Sequence, residues 1–217
     1  MSDLRLAVGA RLHRRLAIGF GLHRLTGSTR VIAKRSFADT LNYRTTTARD
    51  EVAYGGTGAS ASALLDVSQD LRLAGWFRAD TKLRADVGGR TAAENDLPIS
   101  YGAGMQWHAG AQATLAGTVQ WRNWTTSGVA NSHDTFNWSF GAEVGRIATP
   151  LRFGVRGGTM PFGVGKAPTE VGYSAGIGRQ FSGSRGRLDM GIERLSRSGT
   201  GLKERVWTFL LGLTVRP

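Results

Sequence analysis

Two runs near the end of the chain, Arg187-Leu-Asp-Met-Gly-Ile-Glu-Arg-Leu195 and Val206-Trp-Thr-Phe-Leu-Leu-Gly-Leu-Thr-Val215, decide the fold. In the first, Leu188, Met190 and Ile192 share one parity, and Asp189, Gly191 and Glu193 share the other. In the second, Trp207, Phe209, Leu211, Leu213 and Val215 fall together. Side chains alternate across a strand, so each run has one apolar face and one polar or glycine face. A strand of about ten residues with an aromatic at its loop end is long enough to cross a bilayer. Ser196 to Gly201, rich in Ser and Gly, reads as the loop between the two.

The same alternation runs back through the chain. Leu4, Leu6, Val8 and Leu12 alternate with Arg5, Gly9 and Arg11, so the sequence opens inside a strand. Leu16, Ile18, Phe20 and Leu22 continue it beyond a turn at His13-Arg14-Arg15, and that strand reaches toward Val31-Ile32. Glu51 to Val67 is a Gly-, Ala- and Ser-rich strand with weak alternation. Leu71, Leu73 and Phe77 oppose Arg72, Trp76, Arg78 and Asp80. Further strands carry Tyr101 to Trp107, Leu115 to Trp121, Phe136 to Val144, Leu151 to Val155 and Val171 to Ile177. Gly88 to Leu97, Asn123 to Asp134 and Met160 to Pro168 read as loops. The count is about eleven strands, and no helical period stands out.

Short connections near 13–15, 68–70, 108–112, 147–150 and 182–185 alternate with long ones near 38–50, 88–97, 123–134, 160–169 and 197–203. One end with tight turns and one with long loops predicts an all-β, antiparallel up-and-down transmembrane barrel. Residues 1–217 form one such domain. A propeller blade packs four strands into a span that here holds two.

Composition bounds the alternatives. The chain has 217 residues, no Cys, 31 Gly, and 28 Lys+Arg against 16 Asp+Glu, for a net charge of +12. Lack of Cys excludes disulfides and thiolate metal sites. The basic residues are scattered one per strand instead of gathered in a run, which argues against a nucleic-acid partner. No apolar run is long enough for a transmembrane helix. A soluble barrel would put its apolar set inside and a Lys-, Glu- and Thr-rich face outside. Here the second face is glycine-rich, as in a crowded, curved lumen. Trp107 beside a short turn, and Trp121, Phe136, Trp138, Tyr173 and Trp207 toward the long loops, suit two interfacial girdles. The first residues lack a signal peptide, which predicts that export information lies upstream.

Lumen parity carries Arg5, Arg11, Arg72, Arg78, Arg122, Arg152 and Arg156, with Asp80, Glu143, Asp189 and Glu193. Two readings stay open: a cationic lining that guides a carboxylate, or charges that pair with one another. Trp76 lies between Arg72 and Arg78, so one strand offers a donor and an apolar wall. The candidate ligand set is Arg72, Trp76, Arg78, Arg122, Arg152 and Arg156. His13, His23, His108 and His133 lack metal-ligand spacing and read as exposed. Nothing resembles a nucleophile elbow, a Walker loop or a catalytic carboxylate pair, so neither an enzyme nor a cofactor is expected. The sequons at Asn123 and Asn137 read as chance.

Leu16-Ala-Ile-Gly-Phe-Gly-Leu-His-Arg-Leu-Thr-Gly27, Tyr54-Gly-Gly-Thr-Gly-Ala59, Leu97-Pro-Ile-Ser-Tyr-Gly-Ala-Gly-Met105, Leu115-Ala-Gly-Thr-Val119 and the closing hairpin resemble the FadL family of outer-membrane transporters for long-chain fatty acids and other hydrophobic compounds. The resemblance is a strand rhythm over most of the chain. It implies a monomer in the outer membrane, folded by the barrel-assembly machinery, with lipids around it and a hydrophobic ligand such as a fatty acid inside. It also implies a C-terminal piece, about three strands short of the family's fourteen; the family's N-terminal hatch has no counterpart, and Arg216-Pro217 replaces its terminal aromatic. The alternatives are a structural or adhesive barrel without transport, and a soluble ligand-binding barrel.

Overall fold

The computed structural model describes residues 2–38, 44–145, 148–181 and 185–215. The turn expected at Ser182 to Arg185 falls largely outside them, as do the terminal Arg216-Pro217 and part of the expected 38–50 loop.

The strands are β1 (Ser2–His13), β2 (Leu16–Arg35), β3 (Thr46–Asp66), β4 (Leu71–Asp80), β5 (Leu83–Val87), β6 (Arg90–Asn95) and β7 (Ser100–His108). They continue as β8 (Ala113–Arg122), β9 (Thr135–Val144), β10 (Leu151–Thr159), β11 (Thr169–Phe181), β12 (Gly186–Gly199) and β13 (Leu202–Val215). All thirteen belong to one antiparallel sheet. Setting aside the β5–β6 hairpin, eleven strands pair with their sequence neighbours from β1 to β13. Among the described residues β1 and β13 pair with each other nowhere, so the meander is open along one side.

Two expectations are corrected. Gly88 to Leu97 is no loop: β5 and β6 form a hairpin around Gly88 and Gly89, whose φ angles of 58° and 79° suit glycine. Nor is Ser196 to Gly201 a loop. Pairing runs on through Ser196↔Arg205 to Gly199↔Leu202, leaving Thr200 and Gly201 as the turn, with Gly201 at φ 73°. β3 also starts earlier than expected, at Thr46, and pairs with β2 out to Arg35. Beyond Gly27↔Tyr54 this hairpin projects roughly 30 Å. There the Ser28 hydroxyl, then Arg30 at 3.3 Å, holds the Glu51 carboxyl below its ordinary range.

The apolar parity faces out. Leu4, Leu22, Phe209 and Leu211 are 64–77% exposed, which in water would be an aggregation surface and in a bilayer is the lipid face. Register lines the aromatics into a row: Phe20 beside Ala61, then Phe77, Tyr101, Trp121 and Phe136 on successive strands. Near the other edge Tyr173, Arg194 and Trp207 adjoin, with the Arg194 guanidinium 5.6 Å from the Trp207 ring centre. From Tyr101 down to Trp107 the strand rises roughly 20 Å at about 3.4 Å per residue, close to the height of an outer-membrane apolar band.

The inner face explains its glycines. Arg156 on β10 donates to Glu193 on β12 at 2.6 Å, passing over Gly172 on β11, where an added Cβ would lie 2.9 Å from the Glu193 carboxylate. Arg152 reaches Asp189 at 2.6 Å over Gly178 in the same way. A glycine in the middle strand lets side chains of its two neighbours meet, which a tightly curved wall requires.

Candidate luminal site

β1 to β4, β7 and β8 curve around a cavity of about 750 Å³, within the usual range for small-molecule sites. Its charged end is a brace across four strands. Arg78 on β4 donates through Nε to Asp80 at 2.7 Å and through Nη1 to Asp3 on β1 at 3.0 Å. Arg5 also donates to Asp3, at 3.4 Å. Beneath the brace lies His23, with its side chain 1% exposed. Its Nε2 is 2.8 Å from Ser60 Oγ, a contact made possible by Gly21, whose added Cβ would lie 2.8 Å from that oxygen. His23 Nδ1 lies 3.5 Å from Asp3 Oδ1 without hydrogen-bond geometry.

The other end is apolar and aromatic. Leu25 is 5% exposed although it shares the inward parity of His23. Leu97 and Pro98, leaving the β5–β6 hairpin, turn into the mouth. Trp76 lies against Gly102 on β7, where a Cβ would come within 2.8 Å of the indole nitrogen. Trp124 enters from the β8–β9 connection and packs edge-on against Phe162 at 5.2 Å. That connection is tied to the β10–β11 loop: His133 N donates to Pro161 O at 2.7 Å and His133 Nε2 to Gly163 O at 2.8 Å. Trp124 thus brings these two tied loops to the rim of the cavity.

The candidate arginines separate. Trp76, Arg78 and Arg122 line this cavity together. Arg72, on the same face as Arg78, sits near the short-turn end and pairs with Asp66 at 2.7 Å. Arg152 is held between Glu143 and Asp189, and Arg156 between Glu193 and Glu170. Arg156 borders a smaller polar recess of about 250 Å³ with Gln120, Asn137 and Glu170. Of the lumen arginines proposed as ligands, Arg122 differs: among the described residues it has no carboxylate partner. Instead, with the Gln120 amide turned to suit its neighbours, the Gln120 oxygen accepts from Arg122 Nε and Nη2, both at 2.9 Å. His23 is the residue that sequence reasoning misplaced. Its parity with Gly19 and Gly21 marked it as inward, but its burial comes from other strands.

No protein-family model and no curated protein sequence matches the chain. Solved structures do. The CymD monoaromatic hydrocarbon channel superposes with a TM-score of 0.60 and 12% identity, covering 98% of this chain and 73% of that one. A Pseudomonas aeruginosa FadL homologue gives 0.61 and 13%, covering 90% and 59%. The Ralstonia pickettii toluene transporter TbuX gives 0.58 and 13%, covering 99% and 68%. At such identities the likeness speaks for architecture: the chain, spanning 59–73% of these three proteins, shares the fold of the FadL-type outer-membrane β-barrel channels.

Proposed function

We propose that the chain is the larger part of a passive outer-membrane channel for hydrophobic small molecules. Residues 1–217 belong to one barrel domain, which works as a monomer after insertion by the barrel-assembly machinery. The observation that carries the reading is the juxtaposition of two surfaces. A lipid-facing exterior banded by aromatics encloses a cavity whose wall is part aromatic, through Trp76 and Trp124, and part charged. A structural or adhesive barrel has no need of that inner aromatic wall.

A fatty acid is the finer reading. Its carboxylate would meet a cation without a carboxylate partner at Arg122, while Arg78 is already matched by Asp3 and Asp80. The test is flux of toluene and of a long-chain fatty acid into liposomes that carry the complete protein. Flux above protein-free liposomes supports a channel. Equal flux for both solutes with and without protein rejects it.

A further inference from the structure

A second recess lies on the opposite, outward face of the wall. It measures about 540 Å³ and is lined by Arg24, Gly55, Thr57, Lys82, Arg84 and Asp86, among others. Local geometry builds it. β3 pairs with β4 as far as Gly58↔Asp80, then takes β5 as partner from Gly55↔Arg84. The chain jogs between the two at Thr81-Lys82, pinned by Thr81 N donating to Thr57 O at 2.7 Å. The jog leaves Gly55 as an open floor, with nothing within 4 Å of where its Cβ would stand.

Its height sets the ligand. Arg24 follows Leu22 on the lipid-facing parity of β2 and pairs with Leu4, the last apolar residue on that face of β1, so it sits at the edge of the apolar band and about 13 Å along the strand from Phe20 in the aromatic row. From that edge a long cationic side chain extends to the headgroups, where bilayer phosphates lie. Arg84 is engaged by Glu94 at 3.1 Å. Arg24 and Lys82, both exposed, have no carboxylate partner among the described residues. Two uncommitted cations at the edge of a glycine-floored recess suit a phosphate, which accepts several charge-assisted hydrogen bonds. Asp86 and Glu94 on the far side repel a bare anion but accept from hydroxyls.

We propose that this recess binds the phosphorylated sugar headgroup of an outer-leaflet lipid, with phosphate on Arg24 and Lys82. The proposal rests on the outer-membrane reading and not on transport. It is tested on the complete protein in detergent micelles, with bound lipid counted by native mass spectrometry. The probes are a glucosamine-based lipid carrying phosphate, the same lipid dephosphorylated, and inorganic phosphate as competitor. The phosphorylated lipid is expected to bind at least tenfold tighter than the dephosphorylated one, and inorganic phosphate at equal concentration should not displace it. Arg24→Gln with Lys82→Gln should abolish the difference. Gly55→Leu, which fills the floor and keeps both cations, should weaken binding as well, while Lys34→Gln on the distant hairpin tip should not. Equal binding of the two lipids, displacement by inorganic phosphate, or unchanged binding in the Arg24/Lys82 variant overturns the proposal. Binding at the recess with no solute flux would leave it standing and sink only the channel reading.

Discussion

Arg78 on β4 and Asp3 on β1, 75 residues apart in sequence with two strands between them, share a 3.0 Å hydrogen bond across the inner wall. A flat sheet would hold those strands about 14 Å apart, so the bond exists only because the wall is curved. With Asp80 on its Nε, Arg78 fixes that curvature. Arg78→Met should leave two carboxylates facing each other above His23. Since Arg78 and Asp3 keep 22% and 30% side-chain exposure, the expected loss is about 1–3 kcal/mol, discounted from the fully buried case. The check is the urea midpoint of the refolded barrel. Asp3→Asn combined with Arg78→Met should recover part of the loss, and a double variant no better than the single would contradict the brace.

Lipid-facing and inward positions should respond oppositely to polarity. Leu211 is 76% exposed on the outer face, and its neighbour Gly212 turns inward against Asp189. Leu211→Arg should cost about 2–4 kcal/mol near mid-membrane, while Gly212→Ser should be nearly silent. Heat-modifiable migration on gels reads the folded fraction. Equal folded fractions for the two variants would refute the assignment of faces.

Gly178→Val tests the glycine gaps. The new side chain would stand under the Arg152–Asp189 pair, where even an added Cβ would lie 2.6 Å from the carboxylate oxygen. Overpacking plus a broken pair should cost about 1–3 kcal/mol, read as a lower thermal midpoint. Gly88→Ala in the β5–β6 turn, outside the barrel wall, should cost about 1 kcal/mol through its positive φ alone and leave the lumen unchanged.

Arg122 should separate acids from esters. For a long-chain fatty acid and its methyl ester binding to the complete protein, Arg122→Gln should lower the preference for the acid by about tenfold or more. Arg72→Ala should not change that ratio, because Arg72 is spent on Asp66. If Arg72→Ala moves the ratio and Arg122→Gln does not, the assignment of the headgroup is wrong.

Strand identity was legible wherever one face meets lipid, because bilayer burial imposes a strict alternation on residues such as Phe136 to Val144. Where both faces meet water that constraint lapses. Gly88 to Leu97 therefore reads as a loop and Leu83 to Val87 as no strand, although the Gly88-Gly89 pair is itself a hairpin signal. Thr200-Gly201 was hidden in the same way by a polar run that continues the ladder. Side-chain facing was legible too, but partnership was not. Arg72 and Arg78 share a strand and a face, yet one meets Asp66 at the turn and the other Asp3 from β1. Only register between strands distinguishes them, and register is set by contacts far apart in sequence. The burial of His23 depended in the same way on Ser60 of β3 and Asp3 of β1 arriving beside it.

All twenty residues of β2 pair with β3, from Leu16 beside the short turn to Arg35 at the far tip, with no bulge between. The ladder that carries Arg30 and Glu51 outside the bilayer is the one that carries His23 and Ser60 within it. The projecting tip and the polar end of the cavity are thus two stretches of one register, with no slip in pairing to separate them.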